Sequence, residues 1–245
     1  NFKTPRAMGF SSISEAKENW KNFKSPVMIK PVDSSGSKGV SKVEKFEQLE
    51  SAIVNALAFS RNKRFIIEEY IEKYGYQIAG DVFSVNGQLV FRCFANEHFN
   101  IHSGNSFVPI GESWPYIMPE RIHEKLHDEI QRLLTILGMR TGAYNIDARI
   151  DDEENVYLME VGPRNGGNLI SEVTKYATSI DLIKYTIKAA LGEDCRSLRM
   201  KPVKGFWASF MIHSKKSGIL KAVDFSESFR INNIVEFNMI SKIGS

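Results

Sequence analysis

The order of apolar and polar positions predicts alternating strands and helices in the first 72 residues. Apolar runs predict short strands, and apolar side chains at helical spacing predict the helices between them. The predicted strands cover about 7–10, 26–30, 40–43 and 64–71. One predicted helix has Ser14 as cap and carries Ala16, Trp20 and Phe23, and the other covers about 44–59. This order is typical of a small α+β unit.

The following segment predicts an antiparallel hairpin between residues 76 and 94. Two strand-like runs flank Asn86-Gly87, the dipeptide that most strongly favours a two-residue hairpin turn. A regular turn would place Asp81 opposite Arg92, and a cross-strand ion pair would then explain both charges.

A long loop and a helix are predicted next. Residues 96–119 are polar and contain glycine and proline, which favours a loop. This loop would hold His98, His102 and Trp114. Residues 120–137 carry an apolar stripe at helical spacing, and Gly138 would end the helix. His123 and His127 lie off the stripe and are predicted to be solvent exposed.

A second predicted hairpin, over residues 142–161, brings two carboxylates together. A symmetric register about its acidic turn places Ile150 opposite Tyr157, and therefore Asp147 opposite Glu160. Like charges directly opposite each other destabilise a sheet, and a divalent cation between the carboxylates would explain them. A solvent-exposed acidic pair, or a register shifted by one residue, explains them equally well.

A glycine-rich segment, residues 160–168, begins on the second strand of this hairpin. Arg164 comes four residues after Glu160, so its guanidinium could bind an oxyanion beside a metal ion. The rest of the chain predicts a helix capped by Ser179 or Asp181 and ended by Gly192, and then a β-rich tail from Lys201.

A lysine before another glycine-rich loop is the strongest candidate for phosphate binding. The apolar run from Val27 ends at Lys30, and Pro31 closes the strand because it has no N–H to donate. Gly36 and Gly39 can adopt positive φ, so successive backbone N–H groups could point into one concavity. The loop leads into a strand rather than a helix, which distinguishes it from a Walker A motif.

Composition narrows the class of protein. The 245 residues are 42% hydrophobic and 25% charged, as in an ordinary globular protein. A net charge of +3 with mixed signs gives no indication of nucleic-acid binding. No apolar stretch approaches the roughly 20 residues of a membrane span. Cys93 and Cys195 lie far apart, which predicts free thiols and a cytoplasmic location.

Taken together, these motifs resemble the ATP-grasp superfamily over about residues 3–195. In that family a lysine ends a strand before a flexible glycine-rich lid, as Lys30 does here. A later strand ends in the hinge that reads adenine, which resembles Ile67-Glu68-Glu69-Tyr70-Ile71. The family's Glu-x-Asn-Pro-Arg stretch is similar to Glu160-Val161-Gly162-Pro163-Arg164.

The resemblance implies an α+β ATP-grasp fold whose two α+β subdomains hold ATP between them. Residues 1–72 would form the lid subdomain, 73–200 the subdomain with the metal and acyl-phosphate site, and 201–245 a β-rich extension. The implied cofactors are ATP and Mg²⁺ (or Mn²⁺).

The resemblance also assigns roles to residues. ATP would be bound by Lys30, Ser35, Gly36, Ser37, Gly39, Val40, Glu68, Glu69, Tyr70, Ile71 and Gln77. The metal ligands would be Asp147, Glu160 and Asn168, and the acyl phosphate would be held by Arg164 with the amides of Gly166 and Gly167.

The sequence departs from the family pattern in three places. Gly162 replaces an asparagine that is often a metal ligand, and Asn165 or Asn168 could substitute for it. Gln77 or Glu72 stands where many members bind the ribose with a glutamate. The α/β domain that normally precedes this region, with its phosphate-binding lysine, is absent, which implies a protein roughly 80 to 120 residues longer.

The implied reaction is ligation of a small-molecule carboxylate to an amine or similar nucleophile through an acyl phosphate, with release of ADP and phosphate. One alternative is a carbamoyl phosphate synthase-like enzyme that phosphorylates bicarbonate or carbamate. Another is a regulatory nucleotide-binding module without turnover. The expected partners are the two substrates and the missing N-terminal domain, without nucleic acid or membrane, and a homodimer is left open.

Overall fold

The computed structural model describes residues 2–100, 106–214 and 216–245. The chain forms two compact units, Asn1–Met211 and Ile212–Ser245. The larger unit contains two separate antiparallel sheets, one before and one after residue 72. The predicted boundaries at residues 72 and 200 stay predictions.

The first sheet has four strands in the order β1-β4-β2-β3. Its strands are β1 (Ala7–Phe10), β2 (Val27–Pro31), β3 (Ser41–Val43) and β4 (Phe65–Glu69). The helices α1 (Ile13–Asn19) and α2 (Leu49–Phe59) bury their apolar faces with these strands in one core. The prediction that Ser14 caps α1 was wrong, because Ser12 is the N-cap and its hydroxyl accepts from the Glu15 amide at 3.4 Å.

The second sheet has six strands in the order β10-β7-β6-β5-β8-β9. Its strands are β5 (Gln77–Val85), β6 (Gln88–Phe99), β7 (Pro109–Trp114), β8 (Gly142–Ile150), β9 (Val156–Gly162) and β10 (Trp207–Phe210). The predicted turn between β5 and β6 is confirmed, since Asn86 and Gly87 both have positive φ, at 52° and 86°.

Helices cover both faces of this sheet. The predicted helix α3 (Glu120–Ile136) packs a buried apolar stripe on one face, and Gly138 follows it with φ at 65°. On the other face lie α5 (Leu182–Ala190), capped by Asp181 as predicted, and α4 (Ile170–Thr178), which the sequence analysis missed.

Parts of the long loop predicted at 96–119 belong to strands, which corrects the prediction for residues 96–99 and 109–114. Strand β6 continues to Phe99 and β7 begins at Pro109, because the polar side chain of Asn96 is satisfied inside the sheet. Its Nδ2 donates to the carbonyls of Ser113 and Pro115 at 3.0 Å, and its Oδ1 accepts from the amide of Ile117 at 2.9 Å. His98 is thus a strand residue, Trp114 is buried, and His102 lies outside the described residues.

The predicted pairing of Asp81 with Arg92 was wrong. A β-bulge between Phe83 and Ser84 shifts the register, so Asp81 lies opposite Cys93 and Arg92 opposite Val82. Neighbours in a strand point to opposite faces, which separates the two charges. Arg92 instead forms ion pairs with glutamates of α3, Glu120 at 3.2 Å and Glu124 at 2.5 Å.

The predicted exposure of His123 and His127 and the predicted β-rich tail can also be compared with the structure. His123 and His127 were predicted to be exposed, but both are partly buried, and burial lowers the pKa of each imidazole. The smaller unit contains the helix α6 (Glu227–Asn233) and no strand among its described residues, so the β-rich tail is confirmed only at β10.

Cys93 and Cys195 are buried free thiols, as predicted. Within the described ranges, no helix has the length and apolar character needed to cross a bilayer.

Candidate functional site

Lys30 lies near the end of β2 and forms an ion pair with Glu68 on β4. The register places Met28 opposite Glu68, so Lys30, two residues further along, points to the same face. The pair is half-buried, with 30% of the Lys30 side chain and 13% of the Glu68 side chain exposed. The predicted phosphate-binding lysine and the predicted adenine-reading glutamate are therefore in direct contact.

The glycine-rich loop (residues 33–40) has the backbone form that the sequence predicts. Gly36, Ser37 and Gly39 have φ of 62°, 54° and 76°. A side chain at Gly39 would place its Cβ 3.0 Å from the Cβ of Phe59, so the loop also needs glycine there to pack against α2.

Some backbone N–H groups of the glycine-rich loop already form hydrogen bonds within the loop. The amide of Lys38 donates to Ser35 at 3.4 Å, and the amide of Val40 donates to Ser37 at 3.3 Å. The Ser37 hydroxyl donates to the carbonyl of Phe107 at 2.8 Å. In this conformation the amide of Val40 is not free to face a phosphate, whereas Ser35 and Gly36 are exposed.

The predicted adenine hinge, residues 67–71, is already hydrogen bonded in part. The amide of Glu69 donates to the carbonyl of Arg6 at 2.9 Å, because β1 runs alongside β4. The carbonyl of Ile71 accepts from Arg149 at 3.0 Å. These two backbone groups are therefore engaged in this conformation, and the adenine-binding role of the hinge stays a prediction.

Two cations lie close to the ring of Tyr70 beside this hinge. Lys42 Nζ is 4.2 Å from the ring centroid, and the guanidinium carbon of Arg149 is 5.1 Å from it. Arg149 lies on β8, so the hinge of the first sheet contacts the second sheet here.

Gln77 connects Arg149, which contacts this hinge, to the carboxylate of Glu97. Its Oε1 accepts from Arg149 Nε at 2.8 Å, and its Nε2 donates to Glu97 at 2.5 Å. Glu72, the alternative ribose-binding residue, is exposed.

Asp147 and Glu160 lie directly opposite each other on β8 and β9, which confirms their predicted opposition. The predicted register near the turn was wrong, since Ile150 pairs with Val156 rather than with Tyr157. A bulge between Asp147 and Ala148 restores the predicted pairing further along. Burial, and then the charge of Glu160, raise the pKa of Asp147 to about 6, while Arg164 opposes this shift.

Two further carboxylates, which sequence reasoning missed, lie in the same sheet. Glu97 on β6 and Glu112 on β7 are directly opposite each other and only 5% and 2% exposed. Burial, together with neighbouring carboxylates including Asp147, raises the pKa of Glu97 to about 8 and that of Glu112 to about 7. Glu112 Oε2 is buried and has no hydrogen-bond partner among the residues that the structure describes. A run of three polar residues, Asn96 to His98, near the end of β6 was the available signal.

The donor set at Asp147 and Glu160 fits a hard divalent cation. Carboxylate oxygens are the preferred ligands of Mg²⁺, which commonly uses one or two of them and completes its shell with water and phosphate oxygens. Across the described ranges, no group of three or more His, Cys, Asp or Glu is arranged to hold a metal. The facing pair would therefore supply the protein carboxylates.

Arg164 lies beside this pair on the Arg164 loop, defined here as residues 162–169. Its guanidinium donates to the Asn145 side-chain oxygen at 3.2 Å and to the carbonyl of Asn165 at 2.9 Å. A Cβ on Gly162 would lie 3.5 Å from the guanidinium carbon, an ordinary van der Waals contact, so Arg164 packs directly over this glycine.

The two asparagines proposed as substitute ligands differ in their surroundings. Asn165 Oδ1 accepts from the Thr186 hydroxyl at 2.7 Å, so it is turned towards α5. Asn168 is exposed, has φ at 50°, and uses its carbonyl to accept from Ser209 at 2.6 Å. The exposed Asn168 stays a predicted ligand.

Gly166 contributes to the interior of the site rather than to its surface. Its amide donates to Asp81 Oδ1 at 2.7 Å and is thus engaged in this conformation, and its role at an acyl phosphate stays a prediction. A Cβ there would lie 2.9 Å from side-chain atoms of Asp81, Asn145 and Ile170. Gly167 has open space around it.

Comparison with known proteins agrees with this geometry. Residues 23–173 match the sequence profile described as an ATP-grasp domain. The chain is 25% identical over 211 residues to the carbamoyl phosphate synthase large chain of Thermoanaerobacter sp. (strain X514), and this match covers 84% of the chain and 18% of that protein. The corresponding protein of Clostridium acetobutylicum is 26% identical over 202 residues, covering 81% and 18%. The chain spans less than a fifth of the length of these relatives.

Two solved structures resemble the chain over its whole length. Phosphoribosylglycinamide synthetase from Anaerococcus prevotii has a TM-score of 0.67 at 25% identity, covering 100% of this chain and 60% of that one. L-amino acid ligase from Bacillus licheniformis has a TM-score of 0.79 at 20% identity, covering 99% and 58%. The profile match spans more than half of the residues, and the chain belongs to the ATP-grasp family.

Proposed function

We propose that this chain is the catalytic part of an ATP-dependent ligase that activates a carboxylate as an acyl phosphate and joins it to an amine. The observation that carries the proposal is the position of Arg164. Its guanidinium contacts Asn145, two residues before Asp147 on β8 and on the same face, opposite the β9 strand that holds Glu160. An anion-binding fork thus lies beside a carboxylate pair suited to a cation.

In this proposal different residues bind the phosphates of ATP and the metal ion. Lys30 and the exposed part of the glycine-rich loop would bind the phosphates of ATP. Asp147 and Glu160 would hold Mg²⁺ or Mn²⁺, with Asn168 as a third ligand. The bound metal would neutralise the charge that develops on the transferred phosphoryl group.

Arg164 and the unobstructed Gly167 would then hold the acyl phosphate for attack by the amine. The planar guanidinium suits two oxygens of one anion, which a lysine ammonium does not match. Glu68, Tyr70 and Ile71 would contact the adenine, and Gln77 the ribose. Closure of the glycine-rich loop would exclude water from the reactive anhydride.

A second candidate is phosphorylation of bicarbonate or carbamate. The specific observation in its favour is the similarity over 84% of this chain to a carbamoyl phosphate synthase large chain. That relative is more than five times longer than the matched span, so its whole activity is not transferred here. A regulatory nucleotide-binding module is the alternative from another class, but ATP binding by itself does not require Arg164 beside the carboxylate pair.

The deciding experiment measures phosphate release from ATP by the full-length protein with pools of carboxylates and amines. Products are identified by mass. Release that needs both a carboxylate and an amine, with an amide product, supports the ligase. Release with bicarbonate supports the second candidate, and ATP binding without turnover in every pool supports the regulatory module.

The proposal includes partners outside these residues. Because the chain spans only part of its relatives, we expect a further domain to complete the acceptor site, and a homodimer is compatible with this arrangement. The two free buried thiols favour the cytoplasm.

A further inference from the structure

Asp81 is a carboxylate with no exposed surface in the middle of β5. Its Oδ1 accepts from the amide of Gly166 at 2.7 Å and from Asn145 Nδ2 at 3.2 Å, and its Oδ2 accepts from the Ser171 hydroxyl at 2.8 Å. The three donors belong to the Arg164 loop, to β8 and to α4. Asp81 cannot contact a substrate, so its effect must pass through these partners.

Asn145 passes this effect to Arg164. Its Nδ2 donates to Asp81 Oδ1 and to the carbonyl of Gly80, both at 3.2 Å, and its Oδ1 accepts from the Arg164 guanidinium at 3.2 Å. An amide group can turn either end towards a neighbour. Two acceptors on the Nδ2 side leave the oxygen facing the guanidinium, which has only donors.

Gly166 provides a second connection between Asp81 and the Arg164 loop. The bond to its amide fixes the backbone two residues after Arg164. A Cβ at this position would lie 2.9 Å from Asp81 Oδ1 and from Asn145 Nδ2. The close approach therefore depends on glycine.

We propose that Asp81 and Asn145 are a positioning pair that holds the Arg164 guanidinium in a fixed orientation beside Asp147 and Glu160. The inference deepens the proposed function and rests on it for the role of Arg164 at the acyl phosphate. The pair sets where the guanidinium points and takes no part in nucleotide binding.

The test uses the phosphoryl half-reaction in reverse, with acetyl phosphate, carbamoyl phosphate and MgADP as probes. The bond between phosphorus and the acyl oxygen breaks, a bond from phosphorus to a β-phosphate oxygen of ADP forms, and the carboxylate leaves with the electron pair. ATP formation is followed by luminescence, and MgADP affinity by calorimetry. The full-length protein is used throughout.

Asn145→Leu removes the acceptor for Arg164 at similar size. We expect the rate of ATP formation to fall about thirtyfold or more, because a misplaced catalytic group commonly costs that much, while MgADP affinity stays within about twofold. Asp81→Ala should act in the same direction. Asp81→Asn should retain most of the rate, since its Oδ1 can still accept from Gly166 and Asn145 while its Nδ2 donates to the Ser171 hydroxyl.

Ser84→Ala is the matched control for lost stability. Ser84 is buried on the same strand and donates to the carbonyl of Arg140 at 2.8 Å, away from this network. It should lower the melting temperature without changing the rate per folded molecule. A rate in Asn145→Leu within about twofold of wild type, or a parallel loss of MgADP affinity, overturns the proposal.

Failure of the proposed function remains distinguishable from failure of the inference. If the wild type transfers no phosphoryl group from either acyl phosphate, the proposed function fails. Crystal structures of the wild type and of Asn145→Leu then decide the inference. A guanidinium that leaves its place only in the variant supports positioning, and one that stays in place overturns it. Asn145→Leu decides the role of Asn145, and Asp81→Ala against Asp81→Asn decides that of Asp81, whose part in the pair is overturned if both variants keep the wild-type rate per folded molecule.

Discussion

The two sheets of the larger unit differ in how their charged side chains are paired. In the four-stranded sheet, Lys30 and Glu68 neutralise each other without any ligand. In the six-stranded sheet, Glu97, Glu112 and Asp147 have raised pKa values because burial and neighbouring carboxylates disfavour their ionised forms. The first sheet thus pairs opposite charges, whereas the second holds buried carboxylates whose neutral, protonated forms are favoured. Mutations should therefore affect binding in the first sheet, and chemistry or pH response in the second.

Removing a carboxylate from the facing pair should have the largest effect on turnover. Asp147→Asn or Glu160→Gln should reduce ligation by about a thousandfold or more, because a catalytic metal contributes several kcal/mol of charge stabilisation. Asp152→Asn, on the exposed tip of the same hairpin, is the control, and circular dichroism checks the fold. Full activity in both variants would refute the assignment of the pair.

Arg164→Lys should separate nucleotide binding from chemistry. The charge is kept but the planar fork is lost, so we expect product formation to fall about a hundredfold with nearly normal ATP affinity. Arg121→Lys, at an exposed ion pair with Glu154, controls for the same substitution. Equal losses of ATP affinity and product formation would assign Arg164 to nucleotide binding.

Lys30→Ala should show the binding role of the first sheet. A lost charge-assisted contact to phosphate should weaken ATP binding by about 2 kcal/mol, measured by calorimetry. Lys17→Ala removes another lysine that is paired with a glutamate, Glu50, but is more exposed. An unchanged ATP affinity in Lys30→Ala would contradict a phosphate-binding role.

The smallest expected effect concerns stability and pH in the second sheet. The pKa of Glu97 is raised from 4.5 to about 8, so the folded state holds its proton where the unfolded state has lost it. This contribution to the free energy of unfolding is complete below pH 4.5 and is lost as the pH rises through 8.

Glu97→Gln should reduce the decline in stability between pH 5 and pH 8 by on the order of 1 kcal/mol. Urea unfolding at both pH values measures it, and Glu153→Gln on the exposed hairpin tip is the control. Parallel pH dependences of Glu97→Gln and the wild type would show that burial does not perturb this carboxylate.

Local signals were enough to predict the first sheet and the glycine-rich loop. The glycines with positive φ, the strand ended by Pro31 and the helical stripes are each encoded within a few residues of one another. The same holds for the Asn86-Gly87 turn.

Register was harder to predict, because single-residue bulges leave no clear mark in the sequence. One bulge moved Asp81 away from its predicted partner Arg92, and another brought Asp147 opposite Glu160 although the register near the turn was wrong. The bonds of Asp81 to residues 64 to 90 positions later could not be read from spacing.

The hydrogen bond from Ser37 to Phe107 has a consequence for the position of the glycine-rich loop. It ties the glycine-rich loop to the segment before β7, so that attachment must break before the loop can lift. A neutral hydrogen bond contributes about 1 kcal/mol net, which corresponds to roughly a fivefold excess of the attached arrangement. A bias of that size is small, so this hydrogen bond by itself favours the attached arrangement of the loop without excluding others.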